Sequence, residues 1–362
     1  MLAFLSAPKY KVTWKTFLLP IIGLVAFFAY IYIFNVDIRV IITKAQEANL
    51  YYYALAAIAS VFDVFFFSLA WYFLLRFLSV KLSILKSFGF VWVGIFVDTM
   101  IPAESISGEI AKIFLVNSEQ NGAAGKATAS VVAQRLIGMG INVAILLIGA
   151  SLLLIESLLY GMILGLILFL VIMICLFFTL ILLLCFREKW TFRIVDSVIK
   201  FAEWISRGHW KLSKMREEVV EIHKAFHTAI KEYMRAPKTL FIASCSSIIS
   251  WILSLSVFYL TFLSMGKAHL LSWSTILVVS GIFVAVKSVP IGIPFEVGLP
   301  EITLTTLLYF FGVPWDISAT ATILMRLLTL WLRFFIGFGA QQVIGIKAVM
   351  AGPSTEKDPA QD

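Results

Sequence analysis

The chain has 362 residues, of which 61% are hydrophobic, 15% aromatic and only 14% charged, with a formal net charge of +8. A soluble domain covers its core with a mostly polar surface, so this composition excludes one and predicts an all-α polytopic membrane protein. The basic excess does not indicate nucleic acid binding, because the lysines and arginines flank apolar segments and form no basic patch interleaved with aromatic residues.

Six apolar runs are long enough to cross roughly 30 Å of hydrocarbon as helices. We predict full spans at 17–35, 50–78, 127–155, 158–186, 240–264 and 317–344. The first run follows Lys9, Lys11 and Lys15 and therefore resembles a signal peptide. Because it is long and has no small-x-small cleavage pattern, we predict an uncleaved span.

The distribution of basic residues predicts the orientation of these spans. The loop 187–238 contains twelve lysines and arginines, whereas the short turn before it offers only Glu156. The positive-inside rule places the basic loop in the cytoplasm and the turn outside. Counting spans from that loop places both chain termini in the cytoplasm of a multi-pass protein of the cell membrane.

Two further segments, 87–126 and 271–315, are predicted to be re-entrant hairpins. Span parity makes the first begin and end inside and the second begin and end outside. The apolar piece 88–101 reaches only about 21 Å as a helix, so it enters the membrane and turns back near Pro102. The alternative, that each segment contains an ordinary full span, breaks this parity.

The two hairpins divide the chain into halves of similar plan. The first half is 1–156 and the second is 157–347, followed by a polar tail, 348–362, that is predicted to be disordered. Each half reads span, span, hairpin, span, and the halves face opposite sides of the membrane. Such an inverted-topology repeat is typical of alternating-access transporters.

A charged pattern recurs at both hairpins: a proline, a glutamate two residues on, a second glutamate seven on, and later an arginine inside an apolar helix. The copies are Pro102, Glu104, Glu109 and Arg135, then Pro294, Glu296, Glu301 and Arg326. Intramembrane charges are costly and usually line a polar cavity. We expect the tips to meet near the midplane, where the arginines and the N-termini of the return arms would suit a phosphate.

The role of the glutamates is open at this level. They are expected to pair the arginines, to coordinate a cationic headgroup, or to take up a proton during transport. The alternative is that Glu109 with Arg135, and Glu301 with Arg326, are ion pairs that only fix each hairpin to its following span. Asp63 and Asp98 are secondary candidates, for which a helix-stabilising role is the alternative.

The basic loop contains a predicted amphipathic helix, because apolar residues from Met215 to Tyr233 recur at spacings of three and four. We expect it to lie on the cytoplasmic leaflet or on the span ends. His223 and His227 are one turn apart, but no recognisable motif completes a metal site, so a solvated helix face is predicted.

The three cysteines are expected to be inert packing residues, and we expect no metal or cofactor.

The segments PAESISGEIAKIFLV, ASVVAQRL, FFGVP and MRLLTLWL resemble the lysylphosphatidylglycerol synthase transmembrane region, a flippase-like family also called UPF0104. The first family pattern falls on Pro102, Gly108, Glu109, Lys112 and Arg135, and the second on Pro294, Gly298, Glu301 and Arg326. The chain departs from the family at Lys112, where an arginine is usual, and at Phe295 and Glu296, where glycines are usual.

The resemblance implies lipid translocation and not lipid synthesis, because we expect no soluble aminoacyl-transferase domain after the membrane region. The expected substrate and partner is a membrane lipid, either a phospholipid or a polyprenyl-phosphate-linked species such as a sugar. A membrane-embedded transferase with a tip glutamate as general base is one alternative, and a scaffold for a separate lipid-modifying enzyme is another. A homo-oligomer is also compatible with the sequence.

Overall fold

The computed structural model describes residues 43, 46–101, 106–156, 161–193, 196–197, 213–287 and 298–350. Within these ranges the chain is helical and has no strand. Five helical runs are long and apolar enough to cross a membrane, which confirms the predicted all-α class. They correspond to the predicted spans from 50–78 onward, and the first predicted span, 17–35, lies outside the described residues.

The helices follow one another with short connections. In chain order they are α1 (Leu50–Phe77), α2 (Ile84–Met100), α3 (Ile106–Glu119), α4 (Ala124–Ile155), α5 (Gly161–Phe186), α6 (Ser213–Tyr233), α7 (Pro237–Ser264), α8 (Trp273–Lys287), α9 (Leu299–Phe310), α10 (Trp315–Arg326) and α11 (Arg333–Met350). A π-helical segment, Leu327–Leu332, joins α10 to α11, so that Trp315–Ile344 is one candidate span. Helix α11 includes residues 348–350, which belong to the predicted tail, and the rest of that tail, 351–362, lies outside the described residues.

Local sequence signals fix the ends of the first helices. The side chain of Asn49 accepts a hydrogen bond from the backbone N–H of Tyr51 at the start of α1, and Ser83 caps α2 in the same way through Lys86. Helix α2 ends where Ile101 becomes extended, with φ −109° and ψ 116°. The next residue is Pro102, and a residue before proline is sterically driven out of the helical region.

Helices α2, α3, α8 and α9 are shorter than the spanning helices around them. Helix α2 has 17 residues and α8 has 15, which correspond to about 25 Å and 22 Å of length. Each packs against the helix that follows it, α2 on α3 and α8 on α9. Paired short helices are what the hairpin prediction requires, while re-entry into the membrane and the two tips, 102–105 and 288–297, stay predictions.

Contacts between the two parts of the chain are reciprocal. The most extensive contact joins α1, the first long helix that the structure describes, to α7, the long helix at the end of the basic loop. Helix α2 packs on α11, and α8 packs on α4 in the corresponding way. The contacts of α1 with α2 and of α3 with α4 likewise have counterparts in α7 with α8 and α9 with α10.

Two glycines sit at the equivalent crossings of this pattern. A Cβ on Gly149 of α4 would lie 2.8 Å from Cγ2 of Val278 in α8. A Cβ on Gly337 of α11 would lie 2.6 Å from the carbonyl oxygen of Trp92 in α2. Both separations are too short for a carbon atom, so glycine at each position lets the backbones approach closely.

Helix α6 packs on α4, α5 and α7. The sequence predicted a position on the membrane leaflet or on the span ends, and these contacts agree with the span ends. A Cβ on Gly125, at the start of α4, would lie only 2.5 Å from the carbonyl oxygen of Ile222. The expectation of a solvated face for His223 and His227 is wrong, because both side chains are buried. The predicted apolar face of α6 is correct, but the two histidines lie on this packed face and not on the solvent-exposed one.

Candidate functional site

The first charged cluster consists of Asp98, Glu109, Lys112 and Arg135, which come from α2, α3 and α4. Nη1 of Arg135 donates a hydrogen bond to Oε2 of Glu109 at 2.9 Å. The two side chains are 28% and 24% exposed. Lys112 interacts electrostatically with both carboxylates. Two acids and two bases thus leave the cluster with no formal net charge, and its ion pair stays accessible from outside the helix packing.

Lys112 is the most buried cation of this cluster, with a relative exposure of 6%. Its Nζ atom lies 5.0 Å from the ring centroid of Trp71 and 5.5 Å from that of Phe67, both on α1. Nε1 of Trp71 donates to Oγ of Ser130 at 2.9 Å, which holds the indole in place. Cation–π attraction to two rings offsets part of the cost of burying the ammonium group.

Asp98 caps the return arm of the first hairpin. Its Oδ1 atom accepts hydrogen bonds from Oγ of Ser107 at 2.8 Å and from the backbone N–H of Gly108 at 2.6 Å. Gly108 also has no room for a Cβ, which would run into Oδ2 of Asp98 and the carbonyl oxygen of Gly94. The N-terminus of α3, which the sequence suggested for a phosphate, therefore already has a carboxylate of the chain beside it.

The second charged pair is Glu301 with Arg326, on α9 and α10. Nε of Arg326 donates to Oε1 of Glu301 at 2.5 Å, and the side chains are only 3% and 1% exposed. Oε2 of Glu301 accepts from the backbone N–H of Gly298 at 2.6 Å, so the same carboxylate caps α9. Gly298 has φ +108°, a conformation that glycine adopts without strain.

The two pairs therefore differ in exposure although they occupy equivalent positions in the sequence pattern. Glu301 and Arg326 are enclosed, so an external ligand cannot reach them without movement of the helices. Glu109 and Arg135 are each about one-quarter exposed. Of the two arginines, Arg135 is the one that a ligand can contact in this conformation.

A third ion pair connects the two parts of the chain. Nη2 of Arg333 on α11 donates to Oδ2 of Asp63 on α1 at 2.6 Å, and Nε of Arg333 donates to Oγ of Ser60 at 3.0 Å. Oγ of Ser250, on α7, donates to Oδ1 of the same aspartate at 2.5 Å. Asp63 thus organises a contact among α1, α7 and α11.

The π-helical segment Leu327–Leu332 separates Arg326 from Arg333. Side chains of α1 bond to backbone carbonyls in this region: Oγ of Ser60 donates to the carbonyl of Leu328 at 3.3 Å, and the hydroxyl of Tyr53 to that of Leu324 at 2.9 Å. Single π-helical turns inside α-helices occur frequently at functional sites. Here the turn lies between an arginine that pairs within its own half and one that pairs across halves.

The structure brings together Asp98, Glu109, Lys112 and Arg135, and it pairs Glu301 with Arg326. Glu104 and Glu296 lie outside the described residues, as do Pro102 and Pro294. Sequence reasoning missed Arg333. A signal was available, because Arg333 lies in an apolar run seven residues after Arg326, a spacing that puts two residues on the same side of an α-helix. The described ranges contain no group of three or more side chains arranged to hold a metal.

Comparisons with known proteins point to a family of membrane proteins. The family model described as the lysylphosphatidylglycerol synthase TM region matches residues 19–337. One relative is the UPF0104 membrane protein PH1989 of Pyrococcus horikoshii, which is 24% identical over 328 residues, or 89% of this chain and 95% of the relative. No solved structure matches the chain.

Proposed function

Because the chain belongs to the lysylphosphatidylglycerol synthase transmembrane-region family, we propose that it carries a lipid with a phosphate-containing headgroup between the leaflets of the cell membrane. The family match spans the first charged cluster, the Glu301–Arg326 pair and the Asp63–Arg333 pair. In this proposal both termini are cytoplasmic, as the charge distribution of the loops predicts.

The partial exposure of the Glu109–Arg135 pair is the observation that carries the proposal. A guanidinium presents five N–H donors in a fork that matches phosphate oxygens. Arg135 uses Nη1 for Glu109 and is 28% exposed. An accessible arginine beside apolar helices therefore suits the phosphate of a lipid whose acyl chains stay in the surrounding hydrocarbon.

The neutral charge balance of the first cluster suggests how binding stays reversible. A phosphate at Arg135 competes with Glu109, and Lys112 remains an electrostatic partner for the displaced carboxylate. The cluster has no surplus positive charge to hold a phosphate permanently. A transporter needs such moderate binding, since the headgroup must leave the site on the other side.

The reciprocal helix contacts support alternating access as the mode of movement. Helices α2 and α11 pack on each other in the same way as α8 and α4, so that each hairpin rests on the last long helix of the other half. Rocking at these crossings would expose the two hairpins in turn. In this scheme Glu301 and Arg326 hold the second hairpin closed in the conformation described here.

The decisive experiment is a leaflet-exchange assay on the purified protein in liposomes, with fluorescent phospholipid and polyprenyl-phosphate probes. The variant Glu109→Gln/Arg135→Gln removes both charges and therefore leaves no unpaired charge in the membrane. We expect the rate of lipid exchange to fall about 10- to 100-fold, because the variant loses charged hydrogen bonds to the phosphate. Arg76→Gln, which changes an exposed arginine at the end of α1, is the matched control and should exchange at the normal rate.

Each result has a defined meaning. Undiminished exchange in the double variant contradicts the assignment of Arg135 as the phosphate site and leaves the pair a structural one. Covalent conversion of a probe favours the membrane-embedded transferase. Absence of exchange for every lipid, in protein that is folded and correctly inserted, favours a scaffold for a separate enzyme.

A further inference from the structure

The charge balance of the first cluster changes when a lipid phosphate arrives. Asp98 and Glu109 contribute two negative charges to the empty cluster. Lys112 and Arg135 contribute two positive charges. The phosphate of an anionic phosphodiester lipid adds a further negative charge, and an uncompensated charge is costly among apolar helices. The occupied site therefore needs a positive charge that the empty site does not need.

Glu109 is the acid that the phosphate displaces. Among the described residues, Nη1 of Arg135 is the one donor that bonds to its carboxylate, at 2.9 Å. Nζ of Lys112 lies 5.0 Å from the ring centroid of Trp71 and acts on the carboxylate through electrostatic attraction. A phosphate that takes the guanidinium of Arg135 thus removes the hydrogen bond that stabilises the ionised form of Glu109.

Asp98, the other acid of the cluster, keeps its donors when the phosphate binds. Its Oδ1 atom accepts from Oγ of Ser107 at 2.8 Å and from the backbone N–H of Gly108 at 2.6 Å. Neither bond involves Arg135. Hydrogen bonds to a carboxylate favour its ionised form, so the negative charge that is lost most easily belongs to Glu109.

Glu109 also has access to water, which proton exchange requires. Its side chain is 24% exposed, whereas that of Glu301 is 1% exposed. Both carboxylate oxygens of Glu301 accept hydrogen bonds, one from Arg326 and the other from the backbone of Gly298. In this conformation a proton from water therefore reaches the first pair and not the second.

We propose that Glu109 takes up one proton when the phosphate of an anionic lipid binds at Arg135, so that lipid and proton cross the membrane together. This step rests on the proposed transport function. The phosphate accepts hydrogen bonds from Arg135, and a proton from the aqueous buffer forms an O–H bond with the carboxylate of Glu109. When the phosphate leaves, the proton returns to water and the Glu109–Arg135 pair forms again.

The pH dependence follows from the groups that surround Glu109. Helix α3 packs on α2 and α4, from which Asp98 and Arg135 face Glu109, and Lys112 lies on α3 itself. With Arg135 engaged by the phosphate, Asp98 still repels a second negative charge. Because the occupied site binds more protons than the empty one, lipid affinity falls as pH rises. The fall is about tenfold per pH unit where Glu109 is ionised in the empty site and protonated in the occupied one.

Proton uptake can be measured on the full chain purified in detergent. A short-chain phosphatidylglycerol is added to the protein in weak buffer with a pH-indicator dye, and lipid binding is measured in parallel by calorimetry. This probe is a phosphodiester, so it lacks the second ionisation of a phosphate monoester, which occurs near pH 6. We expect about one proton taken up per lipid bound. A diacylglycerol with the same chains, which lacks the phosphate, should cause no uptake.

Glu109→Gln removes the proton acceptor and resembles the protonated acid. We expect this variant to bind the phosphatidylglycerol without proton uptake, and with an affinity that is constant between about pH 5 and about pH 8. Glu119→Gln is the matched control, because it changes an exposed glutamate at the end of the same helix. It should take up protons as the wild type does.

The proton count of the wild-type chain decides the proposal even if a variant does not fold. Binding of the phosphatidylglycerol without proton uptake overturns the proton step and leaves the transport proposal standing. Uptake that persists in folded Glu109→Gln overturns the assignment of the proton to Glu109. Failure of the transport proposal has a different signature, since no lipid then exchanges between the leaflets at any pH, and co-transport is overturned with it.

Discussion

At the residue scale, the first hairpin depends on two glycines, Gly94 and Gly108, which have no side chain. A Cβ on Gly94 would lie 3.1 Å from the carbonyl oxygen of Gly108, and a Cβ on Gly108 would enter the space of Asp98 and of the Gly94 carbonyl. The close approach lets the carboxylate of Asp98 reach the backbone N–H of Gly108. Small residues at this crossing therefore place the first charged cluster as directly as the charged residues do.

The variant Gly108→Ala tests this dependence. Because the added methyl group has no space, we expect the free energy of unfolding to fall by about 1–3 kcal/mol. Gly138→Ala on α4 is the matched control, since no atom of another helix lies within 4 Å of its Cβ position. Higher helix propensity should leave that control equal to the wild type or more stable by up to about 1 kcal/mol. Thermal unfolding in detergent measures both, and similar melting temperatures for the two variants would contradict the crossing.

At the scale of elements, one carboxylate connects three long helices. Asp63 on α1 accepts from Arg333 on α11 and from Ser250 on α7, and Ser60 lies one turn away as a second partner of Arg333. Aspartate in the middle of an apolar helix is costly unless it is paired. Its partners come from helices more than 180 residues later in the chain. The packing of the two halves therefore offsets the cost of burying the aspartate.

Asp63→Asn should weaken this junction. Arg333 would lose its carboxylate while remaining mostly buried, and we expect a loss of about 1–3 kcal/mol in unfolding free energy. Ser250→Ala removes a single hydrogen bond to the same carboxylate and should cost about 1 kcal/mol. Adding Arg333→Gln to Asp63→Asn should recover part of the loss, because no unpaired charge remains. A double variant that is less stable than Asp63→Asn alone would show that Arg333 has other essential contacts.

At the scale of the whole molecule, the contacts of one half reappear in the other with their partners exchanged. Helix α2 rests on α11 as α8 rests on α4, and α1 and α7 pair with each other. Such an exchange is what a two-fold relation between two similar halves produces. Combined with the charge asymmetry of the loops, it favours halves that face opposite sides of the membrane.

Cysteine labelling tests this orientation in a chain from which Cys175, Cys185 and Cys245 have been removed. Ser118→Cys, at the exposed end of α3, should react with a membrane-impermeant reagent only from the cytoplasmic side. Trp315→Cys, at the start of α10, should react only from outside. Labelling of both positions from one side would contradict the inverted repeat.

Much of the fold could be predicted from the sequence because hydrophobicity acts locally. A run of about 20 apolar residues must be helical in lipid whatever surrounds it, so the long helices from α1 onward lie where hydropathy places them. Spacing also marked Glu109 with Arg135 and Glu301 with Arg326, which the structure shows as contacting pairs. Helix α6 was likewise visible in the periodicity of its apolar residues.

Exposure and partner choice were decided only by the tertiary structure. The sequence pattern is the same at both hairpins, yet one glutamate–arginine pair is enclosed and the other accessible, because exposure depends on which distant helices cover a position. The pairing of Asp63 with Arg333 and the burial of His223 and His227 have the same origin. The sequence by itself determined which residues are costly to place in a membrane, and the packing of the two halves decided how each of them is satisfied.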